Sequence, residues 1–136
     1  SDQGKVDRLT TLESARSSAL ATARTYSLEV ASYDYRHLDQ DFARVERDCT
    51  PAFAATYRQS SAALASFLRQ YHAVATAKVV AAGVQSATPS RAVVIVFLDQ
   101  TVTSTSQKVP TNDQSRLQLT LARSGKRWLI DQLKLL

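Results

Sequence analysis

The chain has 136 residues, a mass of 14.9 kDa and a net charge of +5. That length fits one domain and leaves no room for two ordinary ones, and a composition of 44% hydrophobic and 21% charged residues excludes a disordered tail. The longest apolar run, 92–98, falls far short of the roughly 20 residues of a membrane-spanning helix, and the single cysteine excludes an internal disulfide or a multi-cysteine zinc site.

The first 32 residues contain no proline, and Gly4 is their only glycine. Leu9, Leu12, Ala19, Ala23, Tyr26 and Val30 recur at intervals of three and four, interrupted once by Arg16. That spacing predicts a helix over 5–32 with one narrow buried stripe, whose alanines allow close approach to whatever covers it. Such a helix is roughly 40 Å long against a domain about 30 Å across, so its first turns are expected to overhang. The chain starts at Ser1 and holds no methionine. The expectation is therefore a processed piece whose missing part is an anchoring helix, with a frayed or bent N-terminus as the alternative.

An acidic stretch follows, with Leu38, Phe42 and Val45 at helical spacing, and predicts a short second helix over 34–48. Thr50 suits the cap of a third helix and Pro51 its first turn, where a missing N–H costs nothing. Phe53, Tyr57, Ser60, Leu64, Phe67 and Tyr71 form one stripe of that helix. From Val74 the period changes to two, and strands are expected over 74–87, 91–103, 115–123 and 126–135. Gly83 suggests a bulge, Thr88-Pro89-Ser90 a turn, and Ser124-Gly125 a hairpin. The first half of the second strand is apolar on both sides, with Val93, Ile95 and Phe97 on one and Val94, Val96 and Leu98 on the other, and is expected to be buried on both. The expectation is a single α+β domain over 1–136, three helices packed on one face of a curved four-stranded antiparallel sheet.

The charge is uneven. Residues 1–30 balance, 31–50 sum to −2, and 51–136 carry ten bases against Asp99, Asp113 and Asp131. The bases are scattered, with no Arg/aromatic ladder, so a solvated surface is expected rather than nucleic-acid binding. The acids Asp34, Asp39, Asp41, Glu46 and Asp48 lack the spacing and central glycine of a calcium loop, and no metal is expected. Asp34 and Asp39 read as helix caps. The corner holding Tyr33, Tyr35, Arg36, Asp39 and Asp41 also reads as a partner surface, since tyrosine buries area while keeping a polar handle. Cys49 precedes a helix start, but Asp48 beside it opposes a thiolate, so a packed thiol is expected. Asp99 and Asp131 lie on strands among apolar neighbours and would be the acids of an isomerase-like site if either faced an apolar pocket. Tyr26, Phe53, Tyr57, Phe97 and Trp128 would line a lipid pocket between helices and sheet, or simply form core.

Several segments together resemble the Mce-associated membrane proteins of mycobacteria and related actinobacteria. They are the Ala/Arg-rich first helix, 32–41 (SYDYRHLDQD), 53–57 (FAATY), 82–84 (AGV) leading to 92–101 (AVVIVFLDQT), and 125–130 (GKRWLI). The family often has a glycine just before the Phe of the third helix, where this chain has Pro51-Ala52. The resemblance implies a cystatin-like cone of the nuclear transport factor two superfamily, displayed by an N-terminal transmembrane helix on the outer side of the cytoplasmic membrane. It implies an accessory role in assembling Mce complexes that import lipids or sterols, with Mce proteins and the membrane as partners. No catalytic residues and no cofactor come with it. The alternatives are a lipid carrier using the cone pocket and, behind that, a small isomerase or dehydratase.

Overall fold

The period-two half of the chain folds as a continuous antiparallel ribbon: β2 (Val74–Ala87), β3 (Arg91–Thr103), β4 (Thr111–Ser124) and β5 (Arg127–Leu135). The computed structural model describes residues 2–136. Ahead of the ribbon come α1 (Asp2–Ala31), a two-residue strand β1 (Tyr33–Asp34), a 3-10 turn (Tyr35–His37), α2 (Leu38–Arg47) and α3 (Pro51–Gln70). The strands lie in the order β1-β2-β3-β4-β5, all antiparallel, so the sheet has five strands rather than the expected four. The α+β class with helices over one face of a curled sheet is as expected.

α1 lies on β2 and β3 through a ridge of small residues at intervals of four: Ala15, Ala19, Ala23, Ser27 and Ala31. Small side chains every fourth residue let the helix backbone sit close to the sheet. Facing them are Ala92, Val94, Val96 and Leu98 of β3, all buried in the same cluster. The ridge replaces part of the expected stripe: Leu9 is exposed, and Ala15 and Ser27 take its place in the core. Thirty residues make a helix about 45 Å long. Its first third is mostly exposed, and Asp7, Arg8, Thr11 and Leu12 form one wall of a shallow groove whose other wall is the β2–β3 turn, Ala87 to Pro89.

α2 begins at Leu38, not at 34. Tyr33 and Asp34 pair with Ala75 and Val74 as an edge strand, and Asp34 then accepts from Arg36 N at 3.0 Å to start the 3-10 turn. Asp34 is thus a cap, as expected; Asp39 is not, since the residue before α2 is His37 and Asp39 already lies inside the helix. Thr50 does cap α3, accepting from Phe53 N at 3.3 Å, with Pro51 in the first turn. α3 buries Ser61 and Leu68 and leaves Leu64 and Phe67 exposed, because it leans on α2 rather than lying flat on the sheet. The expected stripe therefore sits at the margin of its contact face.

The bulges of β2 fall between Val79 and Ala81 and between Val84 and Ser86; Gly83 stays in the ladder opposite Ile95. β4 starts four residues earlier than expected, at Thr111. The β4–β5 turn is Gly125-Lys126, with Gly125 at φ +61, a left-handed conformation open to glycine without steric cost. β3 is covered on one side only. Ala92, Val94, Val96 and Leu98 are buried, while Phe97 on the opposite face is 43% exposed.

Candidate functional site

The corner between α1 and α2 is the densest polar cluster. The carboxylate of Asp41, on the inner face of α2, accepts from Asp34 N at 2.9 Å and lies 2.9 Å from His37 Nδ1. It is 4% exposed, so it works as an internal strut. Asp34 in turn takes Arg36 N and Arg36 Nε, at 3.0 and 2.9 Å. These charge-assisted bonds hold the Asp34 carboxyl well below the usual carboxylate range, with the Arg36 side chain the main cause.

The aromatic residues of the corner are fixed too. Tyr33 packs against the small cluster of Leu38, Leu68 and Ala73, and burial raises its phenol pKa. Tyr35 stacks on His72 with ring centroids 4.5 Å apart. His72 closes α3 at φ +50, which turns its ring back over the corner. Asp39 is 93% exposed at the side chain and pairs with Arg69 of α3 at 3.0 Å. The structure therefore does bring the five sequence candidates together, but in two layers. Tyr33 and Asp41 build the corner; Tyr35, Arg36 and Asp39 are presented by it. Sequence reasoning missed His37, Arg69 and His72, the last two because they arrive from the far end of α3.

The proposed pocket set divides differently. Trp128 is 2% exposed, donates from Nε1 to Ser18 Oγ at 2.9 Å and carries the Arg123 guanidinium 4.6 Å above its ring. Its carbonyl accepts from Tyr26 Oη at 2.7 Å. Phe53 and Tyr57 pack on the same core, with Tyr57 edge-on to Phe42. Phe97 is on the other face of the sheet, so the five residues cannot line one pocket. Asp99 is also on that outer face. Asp131 sits in the β5 bulge, bound to Thr50 Oγ1 at 3.0 Å and to Arg91 at 2.9 Å. The two acids share no site. Cys49 is buried with its thiol on the Val45 carbonyl, and burial, reinforced by Asp48 and Glu46, pushes it up to about 12. It is a packed thiol and no nucleophile at neutral pH.

One titratable group is poised near neutrality. Glu29, near the end of α1, has its Oε2 buried without a hydrogen-bond partner and feels the negative charge of Asp48, which Arg127 holds at 3.1 Å. Burial first, then Asp48, pushes the Glu29 carboxyl up to about 8. A raised acid binds more protons folded than unfolded, so its contribution is fully present below pH about 4.5 and is lost as pH rises through about 8. Urea titrations are expected to show stability falling between pH 5 and 8.5. Glu29→Gln should remove that slope and gain about 1–2 kcal/mol at the alkaline end, the shift being discounted for the group's partial exposure. An unchanged slope in the variant would exclude Glu29 as its source.

A curled antiparallel sheet with a long helix laid along it and shorter ones at its open end is the nuclear transport factor two-like α+β fold. Among solved structures, the chain superposes on an IcmL-like type IV secretion system protein from Legionella pneumophila with a TM-score of 0.72 at 11% identity, covering 89% of this chain and 91% of that one. The periplasmic domain of DotI gives 0.72 at 14% identity, covering 88% and 93%. CagV of Helicobacter pylori, described as a VirB8 homologue, gives 0.67 at 10% identity, covering 86% and 95%. At such identities the likeness is one of fold. The chain belongs to the family described as uncharacterized protein Rv1363c/MT1408-like, whose model matches residues 6–135. The Mycobacterium tuberculosis protein Rv1362c is 35% identical over 130 residues, which is 95% of this chain and 59% of that protein. The chain thus spans somewhat more than half the length of the curated relatives it matches.

Proposed function

We propose that this domain is a non-catalytic assembly module of a membrane-bound complex in the cell envelope, and that the corner presenting Tyr35, Arg36 and Asp39 is its docking surface. The observation that carries the proposal is the two-layer corner. A buried carboxylate, Asp41, ties a short strand and turn to α2, so that the half-buried Tyr35 and the exposed, oppositely charged Arg36 and Asp39 are held preorganised. Rigid presentation lowers the ordering cost of binding. The fold is shared with periplasmic domains and components of secretion systems, which supports an envelope setting. No helix among the described residues is long and apolar enough to cross a membrane. An anchor upstream of Ser1, with the domain on the outer side, is part of the proposal. So is the complex: an Mce-type lipid or sterol importer, on the segments quoted above.

The lipid-carrier reading has less behind it, since four of its five aromatic candidates are packed in core. A double variant, Tyr35→Ala with Asp39→Lys, in the full-length protein discriminates. Affinity purification from membranes should recover markedly less Mce protein, with the melting temperature nearly unchanged. Unchanged recovery with a lower melting temperature would reduce the corner to a structural joint.

A further inference from the structure

We propose that the uncovered face of the sheet is a two-fold interface between two copies of this chain. The helices lie on the other face. On this one Val80, Ile95 and Phe97 form an apolar patch in which Val80 is 62% and Phe97 43% exposed. Val80 is the extra residue of the first β2 bulge. Ile95 lies opposite Gly83, and nothing stands within 4 Å of where a Cβ there would be, so the patch is open on that flank.

The charges beside the patch select the occupant. Asp99 lies two residues from Phe97 along β3, about 7 Å away; Arg116 is directly opposite Phe97 on β4, about 5 Å across. Neither side chain has a hydrogen bond or ion pair among the described residues, with Lys78 standing opposite Asp99 on β2 without bonding to it. A two-fold axis through Phe97 that bisects these two directions lays Asp99 of each copy over Arg116 of the other. Both pairs form at once, which is what an isologous interface requires. The Phe97 rings meet on the axis, above a depression of about 430 Å³ lined by Val80, Asp99, Gln114 and Arg116. The strands of the two sheets then cross near a right angle, one of the two ways sheets stack. An axis along β3 instead would set Asp99 against Asp99 and Arg116 over Ala81, with no acid for either arginine, so charge favours the bisecting axis.

Sedimentation velocity of the 136-residue chain over a range of concentrations tests this. A monomer–dimer equilibrium is expected. Phe97→Asp and, separately, Val80→Lys should leave a folded monomer, with circular dichroism as the check on folding. Asp99→Arg and Arg116→Asp should each weaken association at least about tenfold, since each sets like charges together. The double exchange, D99R with R116D, should restore it, because both pairs re-form with reversed sign. A monomer at every concentration overturns the proposal. So does a dimer indifferent to Phe97→Asp, or a double exchange as weak as its parents.

Discussion

Trp128→Ala is expected to cost about 3–5 kcal/mol, the range for deleting a large buried aromatic. Equilibrium urea unfolding should show it, with the melting temperature lower by roughly 10–15 °C for a domain of this size. The side chain ties three elements together. Its indole N–H reaches Ser18 of α1 at 2.9 Å, its ring faces Arg123 of β4 at 4.6 Å, and its own carbonyl receives the Tyr26 hydroxyl at 2.7 Å. Deleting the ring therefore leaves a cavity and removes one of the two N–H groups that donate to Ser18 Oγ, the other being Arg123 Nη2 at 3.3 Å. Trp128→Phe separates the two contributions: it retains most of the apolar contact and loses the N–H, and should cost about half as much. A loss under about 1 kcal/mol in the alanine variant would mean that this junction repacks freely.

The second large effect comes from adding atoms. Ala19 is fully buried in the middle of the α1 ridge. Ala19→Leu inserts three carbons where helix and sheet backbones approach closely, and should destabilise by about 3 kcal/mol. The matched change Ser17→Leu, on the exposed side of the same helix, should stay within about 0.5 kcal/mol. Helix propensity changes by only about 0.5 kcal/mol or less at either site, so equal effects at the two sites would refute the close-packed ridge.

The strands were legible because their pattern has high contrast. Val93 to Phe97 is an unbroken β-branched and aromatic run, and Leu117, Leu119 and Leu121 alternate with Arg116, Gln118 and Thr120. Thr50-Pro51 located the start of α3 for the same reason: cap and first turn each demand particular chemistry. The α1 contact face was harder. Its ridge is alanine and serine, which differ little in hydrophobicity from the residues beside them, so Leu9 drew the stripe off line. Phe97 was misplaced because a strand apolar on both sides does not say which side the helices cover. The corner residues were legible as a group. Their division into buried Asp41 and exposed Asp39 was not, since two aspartates two residues apart in an acidic run look alike until the start of α2 is fixed and its turn sets them on opposite faces.

The outer strands of the ribbon are closed to growth by two different devices. At β5, the segment between α2 and α3 lies alongside the strand: Ile130 N donates to the Asp48 carbonyl at 2.7 Å and Thr50 N to the Ile130 carbonyl at 2.9 Å. At β2, the short β1 pairs with Ala75 and Val74, and two bulges then break the spacing of the free amides further along. A neighbouring chain that tried to add a strand would find one edge blocked at Ile130 and the other out of step. Crowding many such domains on a surface therefore carries little risk of cross-β polymerisation from the native state. Loosening the Asp48–Thr50 segment would free the Ile130 position of the β5 edge.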